Sequence, residues 1–253
     1  MTQEYERLKE VSKNISFNKE CKKSFLKKFK QLFVELMHPK AYKPVIVLII
    51  LFSLQQLSGD TVVQFYSQTI FNEFSETSAV IGLILFAAVR LIMTFITAAC
   101  SKRIGRRILL ILSGSGMCVT MIFLTVFLYL ASADGENVAL KDSIKENRLI
   151  FPCFFLYECA SCLGFSIIPW TLVDELLPTS VKGKFSGIMI ALAFLEMFAV
   201  NKIFPHLQSL IGLRNVFLLF GIFSLAATIF VYKFVPETLG KSFAEIENYF
   251  KKK

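Results

Sequence analysis

Charge is scarce in this chain. Asp, Glu, Lys and Arg make up 19% of its 253 residues, against about a quarter in an ordinary soluble domain. It has no glycine-rich phosphate loop, no internal repeat and no low-complexity tract. No nucleophile stands beside a base at a recognisable spacing, so enzyme chemistry has no support. No signal peptide is visible: the first forty residues are polar and basic rather than apolar, and the first apolar span is expected to direct insertion itself. Cys159 and Cys162 stand one helical turn apart, yet no histidine or second cysteine pair joins them to complete a metal set. The six cysteines (21, 100, 118, 153, 159 and 162) fall mostly inside apolar runs and read as small buried side chains. Neither a cofactor nor a metal is expected.

Hydrocarbon fills the space that charge leaves. Hydrophobic residues are 55% of the chain, 27 of them Phe, and the mean hydropathy is +0.59. They are gathered into six stretches, about 45–71, 78–100, 108–131, 149–177, 185–206 and 213–235. Runs of roughly 20 residues with few charges are long enough to cross a bilayer as helices. The predicted fold class is an all-α membrane protein with six transmembrane helices.

The loops set the orientation. Residues 1–43 hold eleven Lys/Arg against five Asp/Glu, Ser101–Arg107 holds Lys102, Arg103, Arg106 and Arg107, and Lys182 and Lys184 mark a third basic loop. The alternate loops carry Glu73 and Glu76, or mixed charge over 132–148. Positive charge favours the cytoplasmic side, so both termini are expected there and the net charge of +9 is a topology signal. No nucleic-acid partner is expected. The Asn14 sequon falls on the same side and should stay unmodified.

Three regions follow. Residues 1–43 form a cytoplasmic segment in which Phe25, Leu26, Phe29, Leu32, Phe33 and Leu36 share one helical face flanked by lysines. That pattern suits a helix in the headgroup layer, or one packed on the cytoplasmic face of the bundle, ended by Pro39 and Pro44. Residues 44–235 hold the six spans. Residues 236–253 are a cytoplasmic tail with a short stripe of Phe243, Ile246, Tyr249 and Phe250.

One span is polar at its middle, where Gln55-Gln56-Leu57-Ser58-Gly59-Asp60-Thr61 interrupts the apolar run. Polar groups in lipid must find partners or face a protein-lined cavity. Two glutamines supply four donors and two acceptors, which suits a small ligand dense in hydroxyls. Adjacent residues point about 100° apart, so both can face one cavity only at a broad opening. Asp60 and Arg90 are ionisable and near mid-membrane, where each alone costs roughly 2.5–3.5 kcal/mol. They are expected to pair across neighbouring spans, with Glu196 a further candidate partner for Arg90.

Four blocks now matter in order. Gln55-Gln56-Leu57-Ser58-Gly59 with Phe65-Tyr66 is the first, and Arg103-Ile104-Gly105-Arg106-Arg107 the second. Pro169-Trp170 with Glu175, Pro178 and Lys182 is the third, and Pro236-Glu237-Thr238-Leu239-Gly240-Lys241-Ser242 the fourth. Together, over residues 40–250, they resemble the C-terminal half of the sugar porters of the major facilitator superfamily, and look most like the insect facilitated trehalose transporters. The resemblance implies one six-helix half of a major facilitator bundle, moving trehalose or a hexose by facilitated diffusion through alternating access. It also implies a sugar site with contacts from Gln55, Gln56, Thr61, Tyr66 and Trp170. Arg103, Arg106, Arg107, Glu175, Lys182 and Glu237 would join inner salt bridges or cap the bundle inside. Plain positive-inside anchoring is the competing account of the arginines, and an interfacial aromatic that of Trp170 and Tyr66. Pro169 is expected to kink the fourth span.

Departures from that pattern are equally visible. Thr61 stands where asparagine is usual, Phe65 where a tyrosine is usual, Arg90 in place of an uncharged amide, and Lys102 in place of an acid. Cys162 replaces a glutamate, Gly164-Phe165-Ser166-Ile167 a glycine-proline-rich approach, and Ala193 and Phe194 an asparagine and a tryptophan. Lys182 replaces an arginine able to bond bidentately. The length matches one half of such a carrier, so the expected partners are a sugar, the bilayer, and a missing N-terminal half or a related transporter chain. The plasma membrane is the implied location. The alternative is a divergent six-helix protein that does not transport and instead associates with a full-length carrier or acts as a sensor.

Overall fold

A computed structural model describes residues 39–74, 79–133, 150–177 and 182–252. The basic segment with its amphipathic face, the Asn14 sequon, Cys21, Pro178 and most of the 132–148 loop lie outside those residues. Among the described residues there are ten helices and no strand. They are α1 Pro39–Leu57, α2 Asp60–Phe65, α3 Ser67–Phe74, α4 Ala79–Cys100, α5 Arg106–Ala133, α6 Ile150–Leu163, α7 Ile168–Leu176, α8 Lys182–Ile211, α9 Leu213–Phe234 and α10 Phe243–Lys252.

Among the described residues five stretches are long and apolar enough to cross a membrane: Val80–Cys100, Arg106–Leu130, Ile150–Leu176, Phe185–Ile211 and Leu213–Phe234. The first candidate span differs from the unbroken helix expected over 45–71. Its apolar helix Tyr42–Leu57 is shorter, and the chain breaks at Ser58–Gly59 before continuing as α2 and α3. Pro39 and Pro44 lie within α1 rather than ahead of it. Proline suits a helix start, and Pro44 costs one backbone bond further in.

The break has two physical causes. Gly59 takes φ 89°, a left-handed conformation that side chains penalise. A Cβ there would also lie 2.5 Å from the Phe220 ring of α9. The Ser58 carbonyl beside the break accepts a bond from the buried Tyr157 hydroxyl of α6 at 2.9 Å.

Helix α5 is the axis of the packing, flanked most extensively by α9 and α6, while α4 lies on α6 and α1 lies between α8 and α9. Small residues bring these helices close. A Cβ on Gly164 would sit 2.6 Å from the Leu109 carbonyl oxygen of α5. The Ser113 hydroxyl of α5 donates to Ala160 O at 2.6 Å and accepts from the Phe165 N–H at 3.0 Å. It therefore serves the backbone groups freed where α6 stops. Large apolar side chains of α4 (Val80, Ile84, Leu91, Phe95) and α8 (Leu195, Phe198, Leu210) stay exposed, as lipid or further protein requires.

The fourth span breaks earlier than expected. Residues 164–167 form turns between α6 and α7, and Pro169 occupies the first turn of α7. Proline there starts a helix rather than kinking one, because the N–H it lacks had no helical partner.

Candidate functional site

The helix breaks bring polar groups from distant positions together in two adjoining clusters. In the first, Thr61 Oγ1 donates to Gln56 Oε1 at 2.7 Å and accepts from Asn201 Nδ2 at 3.3 Å. The Tyr66 hydroxyl donates to the Asn201 carbonyl at 3.0 Å, and its ring lies 4.7 Å from that of Phe204. So α1, α2 and α8 are joined by Gln56, Thr61, Tyr66 and Asn201. Asn201 did not emerge from the sequence; the only available signal was an amide within an apolar run.

The second cluster is charged. Arg90 of α4 forms an ion pair with Glu158 of α6 at 2.8 Å and donates to the Ser166 hydroxyl at 3.1 Å. Asp60 accepts a short bond from Ser161 Oγ and a longer one from Gln55 Nε2 at 3.4 Å. The Cys162 thiol donates to Glu158 Oε1 at 3.4 Å. The expected Asp60–Arg90 pair is therefore corrected: Arg90 takes Glu158, because α4 packs directly on α6. Glu196 does not reach Arg90 either, and instead accepts from Ser53 Oγ at 2.9 Å. Glu158 stands one turn before Cys162, so an acid is retained in this region at a shifted position.

Several polar atoms in these clusters have no partner. Gln55 Oε1, Gln56 Nε2, Glu158 Oε2, Glu196 Oε2 and Asn201 Oδ1 are all buried without a hydrogen bond. Each such atom costs about 1–3 kcal/mol, which is hard to account for as structural packing alone. Both glutamines are 1% exposed, enclosed by this half rather than presented on an open face. A neighbouring cavity lined by Leu57, Val62, Val200, Phe204, Leu219 and Phe220 is apolar throughout and offers no hydroxyl partner. Trp170 is half-buried, with its ring 4.9 Å from Phe52 and 5.7 Å from Phe194. Phe52 lies one turn before the glutamines, so α1 links the indole to them.

At the end of the bundle that carries the arginines, a third network closes α5, α7 and the segment after α9. Arg106 places Nη2 2.9 Å and Nε 3.1 Å from Glu175 Oε1, while Thr238 Oγ1 donates to Glu175 Oε2 at 2.6 Å. Glu237 Oε1 accepts the N–H groups of Arg106, Thr238 and Leu239 at 2.9, 3.0 and 3.1 Å. This places a carboxylate at the positive N-terminus of α5. Gly105 is what admits it: a Cβ would lie 2.5 Å from the Glu237 carboxyl carbon.

Other basic residues at this end stand outside the Arg106–Glu175–Glu237 network. Arg107 does not reach Glu175; it donates to the Tyr232 carbonyl and lies 5.3 Å above the Tyr232 ring. Lys182 pairs with Asp174 at 3.5 Å and lies 5.7 Å from the Phe243 ring. Asp174 is largely exposed, so that pair contributes little. Arg103 is exposed.

Comparison with known proteins identifies the family and the fold. The family model described as sugar (and other) transporter matches residues 2–250. The facilitated trehalose transporter of Anopheles gambiae is 32% identical over 215 residues, covering 85% of this chain and 26% of that protein. Its counterpart in Drosophila pseudoobscura pseudoobscura is 33% identical over 220 residues, covering 85% and 24%. The chain thus spans about a quarter of the length of these relatives. Among solved structures, the major facilitator proton:xylose symporter XylE bound to 6-bromo-6-deoxy-D-glucose superposes with a TM-score of 0.68. It is 25% identical, and the match covers 82% of this chain and 42% of that one. A double-tryptophan mutant of XylE reaches a TM-score of 0.72 at 23% identity, covering 85% and 44%.

Proposed function

Because this chain belongs to the sugar transporter family, we propose that it supplies the C-terminal half of a carrier that moves a small sugar, trehalose or a hexose, by alternating access. The observation that carries the reading is the hydrogen-bonded set Gln56–Thr61–Asn201, enclosed at a break in the first span with amide atoms left over. A sugar hydroxyl both donates and accepts, so it can satisfy Gln56 Nε2 and Asn201 Oδ1 at once. Breaks near the midplane are how such carriers free polar groups for cargo. Trp170 offers a flat apolar face for the ring of the sugar.

In this reading both termini and the Arg106–Glu175–Thr238 network face the cytoplasm of a cell bounded by the plasma membrane. The network holds the inner ends of α5 and α7 together while the cavity is open outward. Residues 44–235 form the half-bundle, and a second half completes the cavity. Facilitated movement needs that second half to rock against.

The test is uptake of labelled trehalose and glucose in cells lacking hexose carriers of their own. The chain is expressed alone and joined to the N-terminal half of a relative. Saturable uptake by the joined protein, weakened at least tenfold in Gln56→Ala, is the expected result. Absence of uptake with correct surface expression would reject the carrier reading. The burial of both glutamines at 1% exposure favours one second reading, a non-transporting partner or sensor. Stable co-purification of this chain with a full-length relative, without uptake, would support that alternative.

A further inference from the structure

The charges gathered on α2, α4 and α6 do not balance. Arg90 contributes one positive charge, and Glu158 and Asp60 contribute two negative ones. Glu158 is 0% exposed and Asp60 2% exposed. Arg90 pairs with Glu158 at 2.8 Å, and Asp60 is bonded to Ser161, one turn from Glu158 on α6. A net charge of one, held in a membrane interior, is costly unless something neutralises it. From this geometry we infer that the Asp60–Arg90–Glu158 cluster is a proton-binding site, in which one proton shared by the two carboxyl groups makes the cluster neutral.

The unpartnered atoms point to the same ligand. Arg90 and the Cys162 thiol both bond Glu158 Oε1, while Oε2 has no partner. Gln55 reaches Asp60 through its amide nitrogen, and its own Oε1 also has no partner. A site with a free buried carboxylate oxygen and a spare buried amide acceptor lacks a donor hydrogen. Two carboxylates in one site share a proton more readily than both ionise. A metal cation fits poorly, because the guanidinium already occupies the site and repels it. Among the described residues no group of three or more His, Cys, Asp or Glu could hold a metal ion.

The surrounding elements supply few other titratable groups. Tyr157 and Cys159 lie beside Glu158 on α6, and Tyr157 spends its proton on Ser58 O. Glu196 on α8 is engaged by Ser53. The ion pair is open on one side only: the Arg90 side chain is 27% exposed and that of Glu158 0%. A proton therefore enters past the guanidinium, and its arrival changes the charge of this half by one. The inference concerns this chain alone and holds whatever cargo the carrier moves.

Infrared difference spectroscopy of the 253-residue chain in lipid nanodiscs tests it. Spectra are taken at a pH above about 5.5, where exposed carboxyl groups with an ordinary pKa near 4 are ionised. The expected result is a protonated-carboxyl C=O band worth one group per chain. Charge balance then sets the variants: Glu158→Gln and Asp60→Asn each abolish the band, because each leaves Arg90 with one carboxylate. Arg90→Gln raises it to two groups. Absence of the band in the unaltered chain overturns the inference and requires no variant to fold. So does its loss in Glu196→Gln, which would place the proton on α8.

Discussion

Replacing Gly105 by alanine should destabilise this half through a residue 132 positions away. The Cβ would fall 2.5 Å from the Glu237 carboxyl carbon, so the carboxylate must leave the N-terminus of α5. It then loses three backbone bonds of 2.9–3.1 Å to Arg106, Thr238 and Leu239. Hydrogen bonds to a charged group contribute about 1.5–3 kcal/mol each. Glu237 is only partly buried, and a displaced carboxylate regains water, so the net loss is about 2–3 kcal/mol. At about 2–4 °C per kcal/mol for a chain of this size, the thermal midpoint should fall by about 4–12 °C. The assay is unfolding of the purified chain in detergent, read by circular dichroism, in a double-mutant cycle with Glu237→Ala. Once Glu237 is gone the three atoms nearest the added methyl go with it, and Gly105→Ala should then cost under about 0.5 kcal/mol. An equal cost in both backgrounds would refute the account, because it would locate the penalty in the backbone of the loop.

Arg90→Gln should cost about 3–5 kcal/mol by leaving the buried Glu158 carboxyl without its partner, and adding Glu158→Gln should restore most of the midpoint. Rescue by Asp60→Asn in place of Glu158→Gln would refute the pairing seen here. Gly59→Ala should destabilise by about 1–2 kcal/mol from its left-handed φ alone, with a further loss from the Phe220 contact that disappears in a Phe220→Ala background. Identical losses in both backgrounds would remove Phe220 from the argument. In the joined carrier, Trp170→Ala should raise the KM for sugar about tenfold. Trp170→Phe, which keeps an aromatic face against Phe52 and Phe194, should raise it less; equal effects would reduce the indole to an anchor.

The contrast between Asp60 and Glu158 marks the limit of sequence reading. The cost of a charge in lipid drew attention to Asp60 and Arg90, and the same argument applies to Glu158 in the fourth apolar run. Which carboxylate meets Arg90 depends on α4 packing on α6, and one chain's periodicity does not encode that neighbour. The Gly105–Glu237 contact is similar. Both residues stand in recognisable blocks, yet nothing local says that one receives the other. Pro169 misled for a different reason: its effect depends on where the helix begins, and Gly164, held against Leu109, had already ended the preceding one.

By itself the sequence determined the class of protein, the apolar runs, the basic loops and the four family blocks. Each of these is a local property: hydrocarbon length against bilayer thickness, charge against the membrane surface, short motifs at characteristic positions. Only the tertiary structure decided where the first span breaks, which carboxylate neutralises Arg90, and that Gln56, Thr61 and Asn201 form one enclosed set. Those outcomes turn on close approach between helices far apart in the chain, and on the rule that every polar group inside a membrane must find its partner among whatever the packing brings near.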